Sequence, residues 1–245
     1  MGSVCDYAGY DYKKKFWDEV DRRYENFTEH RTITRILEKN GVRNADILDL
    51  GCGFGRLFDA YQPFGKQFVL LDYADNMLAH AKERLGHIPE ITFVQGDARE
   101  TPLANASVDV IVSIRTLHHL PDYQRFIAEI HRLLRPGGLV IFEIPNYRHW
   151  LNIARFLVGK QHNPFAKRVT SVGSFSNFHP QLIYDAVKQQ GFVVEDKINT
   201  SFFRSAFLKK QIHPDTLANW DLALQRFLSW TDLTPSIYLA VRKPS

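Results

Sequence analysis

Residues 47–57 read ILDLGCGFGRL: a short apolar run holding one aspartate, Asp49, and then glycines at 51, 53 and 55. An apolar run of this length followed by turn residues reads as a buried strand, and glycines placed there supply backbone conformations that other residues disfavour. In doubly wound α/β sheets, such a strand-to-turn junction is where nucleotide cofactors bind. The dinucleotide fingerprint is G-x-G-x-x-G, whose third glycine lets the following helix pack closely. Here Gly51, Gly53 and Gly55 give G-x-G-x-G, and Arg56 stands in the place of that third glycine. Asp49 is a second departure, because a carboxylate at the loop repels a pyrophosphate and suits an ammonium group or an ordered water. The loop looks adapted to an amino-acid moiety.

Outward from this junction, short apolar runs alternate with helical patterns. Strands are expected at 46–50, 67–71, 91–95, 108–113 and 139–144, with helices at 56–61, 74–85 and 123–134. Pro136-Gly137-Gly138 reads as a helix stop and turn with no ligand role. This alternation, with right-handed crossovers, predicts an α/β doubly wound, mostly parallel sheet. Upstream, Phe16, Val20, Tyr24, Phe27, Ile33, Ile36 and Leu37 recur at helical spacing, which predicts a helix over 13–40 stopped by Gly41. Downstream, regularity lapses over 145–180 apart from the apolar WLNIARFLV. A helix then resumes at 181–190 and a strand at Gly191, and SIYLAVRK closes the sheet. The expectation is a single domain with a seven-stranded sheet. Residues 1–44 would form a helical cap, 45–145 the cofactor-binding core, and 146–180 and 204–234 insertions on the substrate side.

Composition agrees with one domain carrying elaborations: 245 residues, 44% hydrophobic and 24% charged. The formal charge of +4 is mixed along the chain, and the clusters Lys13-Lys14-Lys15 and Lys167-Arg168 are short. They give nucleic-acid binding little support and leave an anionic substrate or a membrane surface open. Cys5 and Cys52 suggest neither a disulfide framework nor a zinc site. No run approaches the roughly 18 apolar residues of a spanning helix, and no leader is apparent, so no stable membrane insertion and a cytoplasmic location are expected.

FVLLDYADNML places Asp72 at the end of the second strand, 21 residues after Gly51. A carboxylate there can accept two hydrogen bonds from a ribose diol. With Gly96-Asp97-Ala98, DVIVSIRTLHHLPD and LLRPGGLVIFE, the motifs of residues 40–145 resemble, in order, those of class I S-adenosylmethionine-dependent methyltransferases. They most resemble the small-molecule branch that includes the ubiquinone and menaquinone methyltransferases. The resemblance implies a Rossmann-like methyltransferase fold with S-adenosylmethionine as cofactor. Backbone at Gly51 and Gly53 would pass the methionine part, with Asp49 reaching its ammonium directly or through water. Asp72 would bind the ribose, Tyr73 would line the adenine pocket, and Asp97 and the Ala98 N–H would read the adenine edge. Backbone from Ser113 to Arg115 would close over the methionine end. Each carboxylate has an ordinary alternative as a helix cap or turn residue.

A bound sulfonium is already an activated methyl donor, so the chain needs mainly to align a nucleophile and exclude water. His119 is similar in placement to a histidine often found in the family, and a neutral imidazole there could take a phenolic proton. The alternative is that His118 or His119 packs at the start of the helix near Asp122. Ser113-Ile114-Arg115-Thr116 is unlike the Asn/Asp-Pro-Pro-Tyr pattern of exocyclic-amine methylation, and no aspartate set suggests a magnesium site. No metal and no nucleic acid are expected. The partner would be a small-molecule methyl acceptor, with oligomeric state open. Phe, Tyr and Trp in the three elaborations, among them Tyr7, Tyr10, Trp17, Trp220 and Trp230, suit a shielded pocket for an aromatic or apolar acceptor. They could equally bury one another. Two other readings remain at this point: a cofactor-binding protein of this fold without turnover, and an NAD-dependent oxidoreductase.

Overall fold

The computed structural model describes residues 22–173, 175–203 and 205–245. Tyr7, Tyr10, Phe16, Trp17 and the first part of the expected N-terminal helix lie outside the described residues. The chain runs through α1 (Arg23–Lys39), β1 (Ala45–Leu50), α2 (Phe58–Tyr61), β2 (Gly65–Asp72), α3 (Asp75–Leu85), β3 (Ile91–Gln95) and β4 (Val108–Ser113). It continues through α4 (Tyr123–Leu133), β5 (Leu134–Pro145), α5 (Trp150–Leu157), β6 (Val169–Val172), β7 (Phe175–Phe178), α6 (Pro180–Gln189), β8 (Val193–Thr200), α7 (Ala206–Gln211), α8 (Pro214–Leu228) and β9 (Ser236–Arg242).

Seven strands form one sheet in the order β3-β2-β1-β4-β5-β9-β8. The pairings among β1 to β5 are parallel, and β9 runs antiparallel to both β5 and β8. The order of connection reverses at β1, which pairs with β2 on one side and β4 on the other. Ligands of open α/β sheets bind at such a reversal, outside the carboxyl ends of the strands. The glycine loop leaves β1 at that end.

Alternation along the strands builds a core on each face, because successive side chains point to opposite sides. Leu48, Leu50, Ile111 and Val140 pack with Phe126 and Ile130 of α4 and Ile183 of α6. Ile47, Val110, Val112 and Ile141 pack on the other face with Ile33 and Ile36 of α1, Phe58 of α2 and Leu78 of α3. Both sheet faces are covered, as a parallel sheet requires.

Two local expectations are corrected. α4 does stop ahead of Pro136-Gly137-Gly138, but the three residues lie within β5, which starts directly after α4, rather than in a turn outside the sheet. Its backbone groups find sheet-like partners: the Gly137 N–H donates to Lys243 O, and the Lys243 N–H to Gly138 O, each at 2.9 Å. The stretch 145–180 is also more regular than its sequence suggests. Besides α5 it holds an antiparallel hairpin, β6 with β7, tied to the end of β5 by the Asn146–Phe178 bridge. A two-stranded ribbon of four residues a side carries too few alternations for periodicity to announce it.

On the opposite flank, α8 packs against α1. The Tyr24 hydroxyl donates to Asp221 Oδ2 at 2.5 Å, and Asp221 also accepts from the Phe202 N–H and from Gln225 Nε2, both at 2.9 Å. That buried carboxylate thus keeps the hydrogen-bond partners that burial demands.

Candidate active site

The cleft at the reversal point is lined by the loops after β1, β2, β3 and β4, with Asp49, Gly51, Gly53, Asp72, Tyr73, Asp97, Ala98, Arg115 and His119 among its lining residues. Nine of the ten residues expected there are therefore brought together. Ser113 is placed just beneath: it is buried, and its hydroxyl donates to Leu50 O at 2.6 Å, locking β4 to β1. The wall above it is made by Ile114, Arg115 and Thr116.

The glycine loop is shaped by two demands. Gly51 has φ +84°, and a Cβ on it would lie 2.3 Å from Thr116 Oγ1, so only glycine lets the loop approach the segment after β4. Gly53 has φ +56°, and a Cβ there would meet nothing within 4 Å. Its backbone faces open space in the cleft. The amides point elsewhere: the Gly51 and Cys52 N–H groups donate to Leu71 O at 2.8 and 3.0 Å, and the Gly53 N–H to Asp72 Oδ2 at 2.7 Å. A pyrophosphate cradle needs amides of this kind for the phosphate oxygens. Here they are already engaged by β2.

Asp72 accepts from the Gly53 N–H through Oδ2 and from the Ala74 N–H through Oδ1 at 2.9 Å, so the carboxylate is oriented by backbone on both oxygens. Burial raises its pKa, with these N–H bonds working against the rise. Each oxygen retains a second lone pair, so a diol can still be accepted on the cleft side. Tyr73 beside it is exposed, as suits a ring that must meet a planar ligand.

Asp49 is buried at the end of β1, and its Oδ2 accepts the hydroxyl of Tyr61 at 2.7 Å. Burial pushes the carboxyl up to about 7; the Tyr61 hydrogen bond and the charge of Arg56 pull the other way, and Asp72 adds to the rise. An ammonium arriving beside it would add opposite charge at contact distance and favour the ionised carboxylate. The cradle at Gly53, the half-used Asp72 and the raised Asp49 together fit the amino-acid and ribose ends of S-adenosylmethionine.

Asp97 is engaged by a neighbour that the sequence did not reveal. Arg99 reaches it through Nε at 3.0 and 3.2 Å and Nη2 at 2.6 Å, with the Arg99 N–H at 2.8 Å. These bonds hold Asp97 below the usual carboxylate range, against a smaller opposing effect of burial. An adenine amino group would share an oxygen with Arg99. His119 sits on a 3-10 turn over Leu117–His119, its ring centroid 3.9 Å from that of His118 and 5.2 Å from that of Phe175 on β7. The hairpin thus roofs the histidine pair with an aromatic ring.

Glu29 of α1 is the second residue that sequence reasoning missed. Buried, it takes Arg115 on Oε1 through Nε at 2.8 Å and Nη2 at 2.6 Å, and Arg56 on Oε2 at 2.5 Å. Burial alone would raise its pKa, but the two guanidiniums prevail and hold it lowered. Both arginines line the cleft, one from the glycine loop and one from the segment after β4. Glu29 sits four residues after Glu25 in a mixed-charge helix, which reads as a solvated face, so only the arginine at position 56 hinted that the loop had a partner.

Residues 48–142 match the family model described as "Methyltransferase domain". A protein of Mycolicibacterium smegmatis named "Probable S-adenosylmethionine-dependent methyltransferase" is 31% identical over 174 residues, 70% of this chain and 61% of its own length. A demethylmenaquinone methyltransferase of Staphylococcus aureus is 30% identical over 139 residues, 52% of this chain and 57% of its own. The chain thus spans less than two thirds of the length of these curated relatives. The crystal structure of an S-adenosylmethionine-dependent methyltransferase from Mesorhizobium loti shares the fold, with a TM-score of 0.60 at 20% identity over 89% of this chain and 99% of that one. Residues 48–142 thus match a methyltransferase domain, and the chain is similar in sequence and in fold to S-adenosylmethionine-dependent methyltransferases.

Proposed function

We propose that this chain transfers a methyl group from S-adenosylmethionine to an oxygen, nitrogen or carbon nucleophile of a small aromatic or apolar molecule. The observation that carries the reading is the convergence of Asp49, Asp72 and Asp97 with the open backbone of Gly53 in one cleft at the reversal of the sheet. Asp49 would hold the ammonium, Asp72 the ribose diol, Tyr73 a face of the adenine, and Asp97 with the Ala98 N–H its edge. When bound, the cofactor supplies an electrophilic methyl group on sulfonium. The chain's own task is to orient the acceptor and to exclude water from the reacting atoms.

His119 is the candidate base in this reading, since it lines the cleft and stands against Phe175 of the hairpin. It would accept a proton from a phenolic acceptor held under that ring. Residues 146–180 and 204–234 are assigned to covering the acceptor, supported by the hairpin's position over the histidines. A cytoplasmic location belongs to the same reading. It is consistent with the buried free thiol of Cys52 and with the finding that, among the described residues, no helix is long and apolar enough to cross a membrane. The oxidoreductase reading loses its footing, because the loop amides that would cradle a pyrophosphate are bonded to Leu71 and Asp72.

The test is release of S-adenosylhomocysteine from S-adenosylmethionine across a panel of phenols, quinols and apolar amines. Release that needs both an acceptor and Asp72 supports the proposal. A protein that binds cofactor tightly yet turns over none of the panel contradicts its acceptor class.

A further inference from the structure

Helix α5 is built inside out. Of its eight residues, WLNIARFL, the one it buries is Asn152, while Trp150, Leu151 and Leu157 are exposed and Val158 follows them into solvent. A helix on a globular protein ordinarily turns its apolar stripe inward. Here the Asn152 side chain faces in, with Nδ2 donating to Tyr147 O at 2.9 Å.

The exposed apolar surface does not end with α5. Trp150 and Leu151 share a groove with Phe203 and Leu208, and Phe203 meets Trp220 of α8 edge to face at 6.1 Å. The Trp150 N–H donates to Leu233 O at 2.9 Å, which joins α5 to the chain after α8. At the end of α8, Trp230 is 79% exposed and its indole N–H donates to Phe227 O. Phe207 of α7 is 70% exposed. Single exposed apolar residues need no explanation, whereas a contiguous patch of tryptophan, phenylalanine and leucine on three elements marks an interaction surface.

Charge tells what kind of surface it meets. Residues 145–184 and 197–214 hold nine of the chain's 31 Lys and Arg and none of its 27 Asp and Glu, so the remainder, with 22 against 27, is net acidic. Lys167, Lys197 and Lys209 are occupied by Asp185, Asp232 and Glu25. Arg155, Lys160 and Lys210 are exposed on the segments that carry the aromatic patch. Tryptophan and leucine beside an excess of exposed basic side chains, with Asp215 in the first turn of α8 held by Arg31, is the composition of a face that lies in the headgroup region of an anionic bilayer. Tryptophan suits that depth because its ring is apolar and its N–H is not.

We propose that the face made by α5, α7 and α8 docks on the surface of a membrane containing anionic lipid. The contact is peripheral, with side chains rather than helices entering the lipid. It uses the outer side of the segments assigned to covering the acceptor, and none of these apolar residues lines the cofactor cleft.

The experiment is sedimentation of the full chain with vesicles of phosphatidylcholine alone and with vesicles in which about a third of the lipid is phosphatidylglycerol. The expected result is binding to the anionic vesicles, weakened at least about tenfold by high salt, which screens charge. Leu157→Glu combined with Trp230→Glu, at two largely exposed positions, is expected to lower binding at least about tenfold while leaving affinity for S-adenosylhomocysteine unchanged. Failure to sediment with anionic vesicles, or equal sedimentation of that double variant, overturns the proposal. So does a dimer in solution that the same substitutions convert to monomer without any vesicle binding, because the face would then cover a second copy.

Discussion

The hydroxyl of Tyr61 and the carboxylate of Asp49 form a buried hydrogen bond of 2.7 Å, directly beneath the glycine loop. Tyr61 ends the short helix that the loop starts, so the pair fixes the loop's exit to its entry. The bond also sets how the cleft responds to pH. Burial pushes Asp49 up to about 7, and Tyr61 restrains that rise. A carboxyl raised on folding contributes stability that is complete below its unfolded value and is lost as pH climbs through about 7. A cationic ligand at the carboxylate acts in the opposite sense, because it favours the ionised form. Affinity for S-adenosylhomocysteine is therefore expected to increase with pH and level off above about 7. Tyr61→Phe should move that midpoint upward. Calorimetric titration at several pH values checks both, and a flat profile would remove the ammonium from Asp49.

Asp72 joins two tasks, holding the Gly53 and Ala74 amides and offering its remaining lone pairs to the cleft. Asp72→Ala is expected to weaken S-adenosylhomocysteine binding by well over tenfold, as loss of charge-assisted hydrogen bonds of about 1.5–3 kcal/mol implies. Circular dichroism should show an intact fold. Unchanged affinity in a folded variant would move the ribose elsewhere.

Glu29 pairs with two guanidiniums whose side chains are 10% and 17% exposed. Glu29→Gln leaves both charged and mostly buried, which should cost about 3–5 kcal/mol of stability. Urea unfolding measures it. A loss below about 1 kcal/mol would mean that solvent or other carboxylates, such as Glu143 on the Arg115 N–H, take up the charge.

The two glycines of the loop should respond unequally. Gly51→Ala combines a left-handed backbone with a contact of 2.3 Å to Thr116 Oγ1, whereas Gly53→Ala meets only the backbone penalty of about 1–2 kcal/mol. Thermal unfolding is expected to rank Gly51→Ala below Gly53→Ala. Gly53→Ala should instead show its larger effect on cofactor affinity, since its Cβ would enter the cleft. The reverse ranking would contradict the close approach at Gly51.

Much of this was legible from the sequence because it lies in contiguous patterns. The run 47–57 carried the strand, the loop and Asp49, and the spacing to Asp72 carried the second strand's end. Strands β3 and β4 fall on the expected residues, 91–95 and 108–113, since short apolar runs bounded by polar turns leave little choice. What escaped are ion pairs and hydrogen bonds with no periodic signature. Glu29 between Arg56 and Arg115 needs distant parts of the chain to meet, whereas Tyr61 on Asp49 and Arg99 on Asp97 are closer in sequence but depend on side-chain direction. The hairpin that brings Phe175 over His119 escaped because its strands are four residues each. Of the backbone stretch 113–115 expected over the methionine end, Ile114 and Arg115 line the cleft, while the Ser113 side chain turns inward to Leu50 O.

The most direct test is calorimetric titration of the purified protein, freed of carried-over ligand, with S-adenosylhomocysteine and separately with NADH. Micromolar binding of S-adenosylhomocysteine and none of NADH is the predicted result, given loop amides already bonded to Leu71 and Asp72. Binding of NADH alone would contradict the account at the glycine loop itself.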